Sequence, residues 1–72
     1  MSYFWYDDVL NQHGEHNVHK SACRYMPSMN HASYVGQFDL SFQVIELLRR
    51  KERFKRFNGC KFCMPSEHIP HK

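Results

Sequence analysis

Three cysteines in a chain of 72 residues constrain this fold more than any other feature. A chain this short buries only about 60% of the surface its unfolded form exposes, so its apolar core alone is marginal. Domains below ~70–80 residues add disulfides, a bound metal or a partner chain. An odd number of cysteines cannot pair off completely within one chain. Residues 2–8 offer neither the basic segment nor the long apolar run of a secretion signal. A secreted disulfide scaffold is therefore disfavoured, and a reducing, cytoplasmic setting with a metal is expected. No stretch approaches the ~18 continuous apolar residues of a membrane span, so no membrane partner is expected. With 42% hydrophobic and 15% aromatic residues, the chain is too apolar for disorder. We read it as a single domain, residues 1–72.

Tyr3, Phe4, Trp5 and Tyr6 are four consecutive aromatics. They suit a short strand buried on both faces, or an arm (residues 1–10) docked on another chain. Residues 11–16 read as a loop and 17–19 as a short strand. Residues 23–30, with Pro27, form an irregular connection. The alternating β-formers of 33–38 are the best strand candidate, and Asp39 or Ser41 offers an N-cap to the helix that follows. Over residues 40–57, Leu40, Val44, Leu47, Leu48 and Phe54 share an arc of about 120° at helical spacing. Arg49, Arg50, Arg53 and Arg56 lie roughly opposite. Asn58-Gly59 reads as the helix stop, and residues 64–72 as a polar tail. The expected fold is α+β: a small antiparallel sheet, one amphipathic helix and a terminal metal-binding knuckle.

Cys60-x2-Cys63 is the firmest chemical signal. Two thiolates at this spacing can grip one zinc ion in a tight turn and leave two tetrahedral positions to fill. A redox dithiol would instead be expected at the start of a helix after a strand. His68 and His71 could fill the open positions locally. The spacing Cys60-x2-Cys63-x4-His68 matches the opening of a retroviral-type zinc knuckle, but that motif ends in a cysteine, and the x2 gap from His68 to His71 is short for a histidine pair. The preferred set is remote, His19-x3-Cys23, because it ties both halves of the chain to one ion and accounts for Cys23. A further metal site through His13, His16 and His19 is not favoured, since neutral polar loop residues are common.

The pattern His19-x3-Cys23-Arg24-Tyr25-x-Pro27, then Tyr34-Val35-Gly36-Gln37-Phe38, an amphipathic helix, and Asn58-Gly59-Cys60-x2-Cys63 resembles the Ada-type zinc-binding domain. The resemblance covers roughly residues 17–63. It implies one structural Zn2+ held by His19, Cys23, Cys60 and Cys63. In the DNA-repair members, the first ligand of the x3 pair is a cysteine that accepts a methyl group. His19 stands there in this chain, so methyl transfer on the family's pattern is not expected. A site of three thiolates and one imidazole carries a formal charge of −1, which Lys20, Arg24 and Lys61 could soften by donating to sulfur.

Charge divides the chain. Residues 1–48 carry two basic and five acidic side chains, whereas residues 49–72 carry eight basic and two acidic. Six of those eight fall within the run 49–56. Such a run is either a solvated helix face or a phosphate-binding surface. No Ser-His-Asp set, glycine-rich phosphate loop or paired-carboxylate motif stands out, and no enzyme activity is expected. The leading expectation is a non-enzymatic module that binds DNA or RNA through Arg49, Arg50, Arg53 and Arg56. The alternative is a protein-docking adaptor or homodimer using Phe4, Trp5 and Tyr6.

Overall fold

A strand of consecutive aromatics folds best with a neighbour on each side and a core beneath one face, and the start of this chain has both. A computed structural model describes residues 2–70. Strand β1 (Ser2–Asp7) lies in the interior of a four-stranded sheet with β2 (His16–Lys20), β3 (Ala32–Phe38) and β4 (Phe57–Gly59), in the order β3-β1-β2-β4. Helix α1 (Ser41–Lys51) connects β3 to β4, and short 3-10 turns occupy Met29–His31 and Pro65–Glu67. The α+β architecture is as expected. The sheet is mixed, however: β1 pairs antiparallel with β2 and β3, while β4 joins β2 in parallel. Among the described residues no helix is long and apolar enough to cross a membrane.

Strand alternation sorts the aromatics of β1. Phe4, only 1% exposed, enters the core with Val18, Val44, Ile45, Leu48, Phe57 and Met64, and Tyr6, Val35 and Phe38 pack against its edge. Tyr3 and Trp5 turn to the other face and meet Tyr34, with ring centroids 6.4 and 5.0 Å away. The indole N–H of Trp5 donates to Ser21 Oγ at 3.1 Å. Residues 2–7 thus form a strand of the sheet, with Phe4 buried in the core and Trp5 and Tyr6 half-buried in ring contacts. Pairing of Phe4 with Gly36 and of Trp5 with Tyr34 leaves Val35 as an extra residue in β3. This bulge turns Val35 toward the core and places Gly36 at φ 153°, a conformation that favours glycine.

The helix departs from expectation at both ends. Leu40 occupies the N-cap position, where it has no side-chain acceptor to offer. Instead its backbone N–H donates to Gln43 Oε1 at 3.1 Å, half of a capping box. Val44, Ile45 and Leu48 form the buried face, while Leu40 and Leu47 are exposed. The helix stops at Lys51, where Glu52 N–H donates to Leu48 O at 2.8 Å, and does not run to residue 57. The reason is tertiary. Phe57 is needed in the core against Tyr6 and His16, and its strand must pair with β2. Asn58-Gly59 is thus a strand rather than a helix stop. Arg53 belongs to a turn and Arg56 to the entry of β4, so only Arg49 and Arg50 of the four arginines are helical.

The expected polar tail is partly structural. Met64 is 1% exposed in the core. Asn58 is buried, donating to Ile69 O at 2.9 Å and to Glu15 Oε1 at 3.2 Å, and accepting from Ile69 N–H at 2.8 Å. A Cβ added at Gly59 would stand 2.9 Å from Glu67 Cβ and 3.0 Å from its backbone, so the chain passes too close for any larger residue.

Truncating Phe4 to alanine removes the largest buried ring of β1 and should cost about 3–5 kcal/mol. Tyr3→Ala, on the exposed face one residue away, should cost no more than about 1.5 kcal/mol. Urea titration of the two variants measures the difference. Equal losses would show that β1 does not alternate between core and surface.

Candidate metal centre

Strand register brings the two halves of the ligand set together. In the parallel β2/β4 pair, Val18 stands opposite Gly59, and Cys60 N–H donates to Val18 O at 2.9 Å. The next residue on each side is His19 and Cys60. Beyond β2 the chain turns, with Cys23 N–H donating to Lys20 O at 2.9 Å, and this returns Cys23 toward the same point. Past β4, Met64 N–H donates to Cys60 O at 2.8 Å and closes a single turn that carries Cys60 and Cys63 on one side. His19, Cys23, Cys60 and Cys63 consequently offer four ligand atoms that all lie within 4.8 Å of one another.

This donor set fits a metal ion on three counts. First, a tetrahedral ion with metal–sulfur bonds of about 2.3 Å separates its sulfurs by about 3.8 Å, and Cys23 Sγ and Cys60 Sγ are 3.8 Å apart. All three cysteines are free. Second, His19 is 4% exposed and its Nδ1 is buried with no hydrogen-bond partner among the described residues. An unsatisfied buried nitrogen costs about 1–3 kcal/mol, which ligation would relieve. Third, His19 is held in the protonation state a ligand needs. Burial lowers the pKa of His19 below its ordinary 6.5 against the opposing pull of Asp7, leaving a neutral imidazole with a lone pair to give. Burial also pushes the Cys63 thiol up to about 12. The Lys20 N–H opposes that rise, while the neighbouring Cys23 and Cys60 add to it. A divalent cation beside Cys63 would reverse that balance and favour its thiolate.

Polar support from the backbone reaches one sulfur, that of Cys63. Lys20 N–H donates to Cys63 Sγ at 3.4 Å, and among the described residues no contact joins the side chains of Lys20, Arg24 or Lys61 to sulfur. Lys61 instead lies over the Phe62 ring, 5.2 Å from its centroid. His68 is outside the cluster: its Nδ1 bonds to Gly59 O at 2.9 Å and ties the tail to β4. His71 lies outside the described residues. His16 is buried in β2 with Nδ1 bonded to Asp7 O at 2.7 Å, so the loop histidines form no second cluster among the described residues.

A cleft of about 660 Å³ opens beside the cluster, bordered by His19, Cys60, Asn17, Tyr25, Phe62 and His68. Tyr25 and Phe62 stack at its rim with centroids 4.2 Å apart. Sequence reading missed the polar frame of this region. Asn11 Oδ1 accepts from the N–H groups of His13 and Glu15 at 2.8 and 3.0 Å, and its amide donates to Asn17 Oδ1 at 3.1 Å. Only the turn-forming habit of asparagine signalled it. The four arginines are all exposed, none with an ion pair to a described residue.

Comparison of the chain with protein-family models, with curated proteins and with solved structures returned no match. Fold and site together define a small α+β protein in which three cysteines and one histidine can hold a metal ion.

Cobalt substitution tests the ligand set. Wild type should bind one Co2+ with the intense visible bands of a tetrahedral thiolate site. His68→Ala should keep that spectrum, while His19→Ala and Cys23→Ser should shift or lose it. Loss in His68→Ala alone would reassign the fourth ligand. Acid should also weaken binding, because each thiol must release its proton when the metal enters. One released proton lowers apparent affinity about tenfold per pH unit, and three steepen the dependence further. Chelator competition at pH 7 and pH 6 measures this, and a pH-independent affinity would rule out thiolate ligation.

Proposed function

We propose that the chain is a structural zinc module that holds nucleic acid on its basic surface and performs no catalysis of its own. Three thiolates and an imidazole are a soft donor set suited to Zn2+, in line with the likeness to Ada-type domains. Four protein ligands complete a tetrahedron and leave no position for substrate, which supports a structural role for the ion. Three cysteines outside any disulfide suit the reducing cytoplasm.

The observation that carries the binding proposal is the basic surface itself. Arg49, Arg50, Arg53 and Arg56 span the end of α1 and the turn into β4, all exposed and without ion-pair partners among the described residues. Arginines that complete no structural network are free to meet phosphate oxygens, and their planar forks suit bidentate contact. A helix C-terminus does favour cations, which accounts for Arg49, Arg50 and Lys51. It does not account for Arg53 and Arg56, which lie beyond the helix.

Binding to a fluorescent oligonucleotide should weaken linearly on a log–log plot against salt. Replacing Arg49 and Arg53 together by glutamine should reduce the slope by about 1.4 for a single strand, at roughly 0.7 for each phosphate that is no longer neutralised. Cobalt spectra of the variant should be unchanged. An unaltered slope would move the nucleic-acid surface elsewhere.

A further inference from the structure

Phe54 lies in the turn between α1 and β4, and its ring is fully exposed. Helical spacing would place it on the core-facing arc, but the chain has left the helix by then and Phe57 fills the core. Among the described residues this ring has no partner, although Arg53 precedes it and Lys55 and Arg56 follow it. The turn around it is nonetheless held on both sides. Lys55 N–H donates to Glu52 O at 3.1 Å, and Lys55 Nζ reaches Tyr6 Oη at 3.3 Å while lying over the Tyr6 ring. Arg56 O accepts the N–H of His16 at 2.8 Å. The ring is therefore presented from an anchored turn, and less of its freedom remains to be lost on binding.

We infer that Phe54 is a stacking wedge for single-stranded nucleic acid: its ring packs on the face of an unpaired base while the neighbouring arginines hold the flanking phosphates. The inference rests on the nucleic-acid reading above and adds to it the class of nucleic acid. A phenyl ring has no polar atom with which to read a base edge in a groove, so stacking is what it can offer. In a duplex the base faces are already covered, whereas in a single strand they are open. Lipid fits the surface less well. Interfacial helices need a contiguous apolar face, but the apolar face of α1, formed by Val44, Ile45 and Leu48, is spent on the sheet. The exposed Phe42 and Leu47 point about 140° apart at helical spacing.

The test uses the full, metal-loaded chain and a labelled 12-mer of deoxythymidine, the same sequence as a duplex with deoxyadenosine, and vesicles containing phosphatidylserine. Wild type should prefer the single strand. Phe54→Ala should weaken single-strand binding about tenfold, with the salt slope and duplex binding unchanged, and Phe54→Trp should restore it. Phe54 is exposed, so melting temperature should not move in either variant. Wild-type affinity in Phe54→Ala, or equal losses on single strand and duplex, would overturn the wedge while leaving the arginine surface intact. Failure of wild type to bind either form would overturn the nucleic-acid reading as well. Phe54-dependent binding to vesicles without binding to the oligonucleotide would assign the surface to lipid instead.

Discussion

The parallel pairing of β4 with β2 is the interaction on which the rest of the structure depends. It sets His19 beside Cys60, because the residue after Val18 and the residue after Gly59 emerge together from one register. It ends the helix, because Phe57 must leave the helical path to reach the strand. It also completes the core, where Phe57 meets Tyr6 and His16 at 5.2 and 5.5 Å between ring centroids. A slip of one residue in this pairing would turn Phe57 out to solvent and carry Cys60 away from the cluster.

The short length of β4 makes its surroundings decisive. Three residues supply few ladder hydrogen bonds, so the strand is locked from outside. Asn58 is clamped between Glu15 and Ile69, His68 holds Gly59 O, and Glu67 sits against Gly59 too closely for a side chain there. A segment that sequence reading takes for a tail is thus the brace for the strand that carries Cys60. Polar side chains do here what a longer ladder does in larger sheets.

The His/Cys cluster was legible because metal-binding chemistry is tied to residue type and spacing. His19-x3-Cys23 and Cys60-x2-Cys63 name themselves, and a chain with a marginal core has reason to join them. The α+β class was legible from β-alternation in 33–38 and helical spacing after it. What escaped was set by contacts distant in sequence. Phe54 continues the helical arc by chance, and nothing local says that the helix has already ended. Asn58-Gly59 has the composition of a cap but the neighbours of a strand. Nor could the direction of β4 be read, since a parallel partner is chosen by the path of everything between. The aromatic run of β1 was compatible with a strand or an arm, and its place as a strand follows from neighbours on both sides that no local signal reveals.

The ligand pairs lie far apart in the chain, with 36 residues between Cys23 and Cys60. β3 and α1 are contained wholly within that interval. An ion held by both pairs would close a ring whose circumference includes the bulged strand and the only long helix described. Closing such a loop is costly for a free chain, and the cost falls on whichever contact forms first. Once the ring is closed, the β2/β4 pairing becomes nearly local, and β3 and α1 need search only the space the ring allows. Such an ion would shorten the search for the fold: a topology of distant contacts would acquire the folding problem of a much shorter chain.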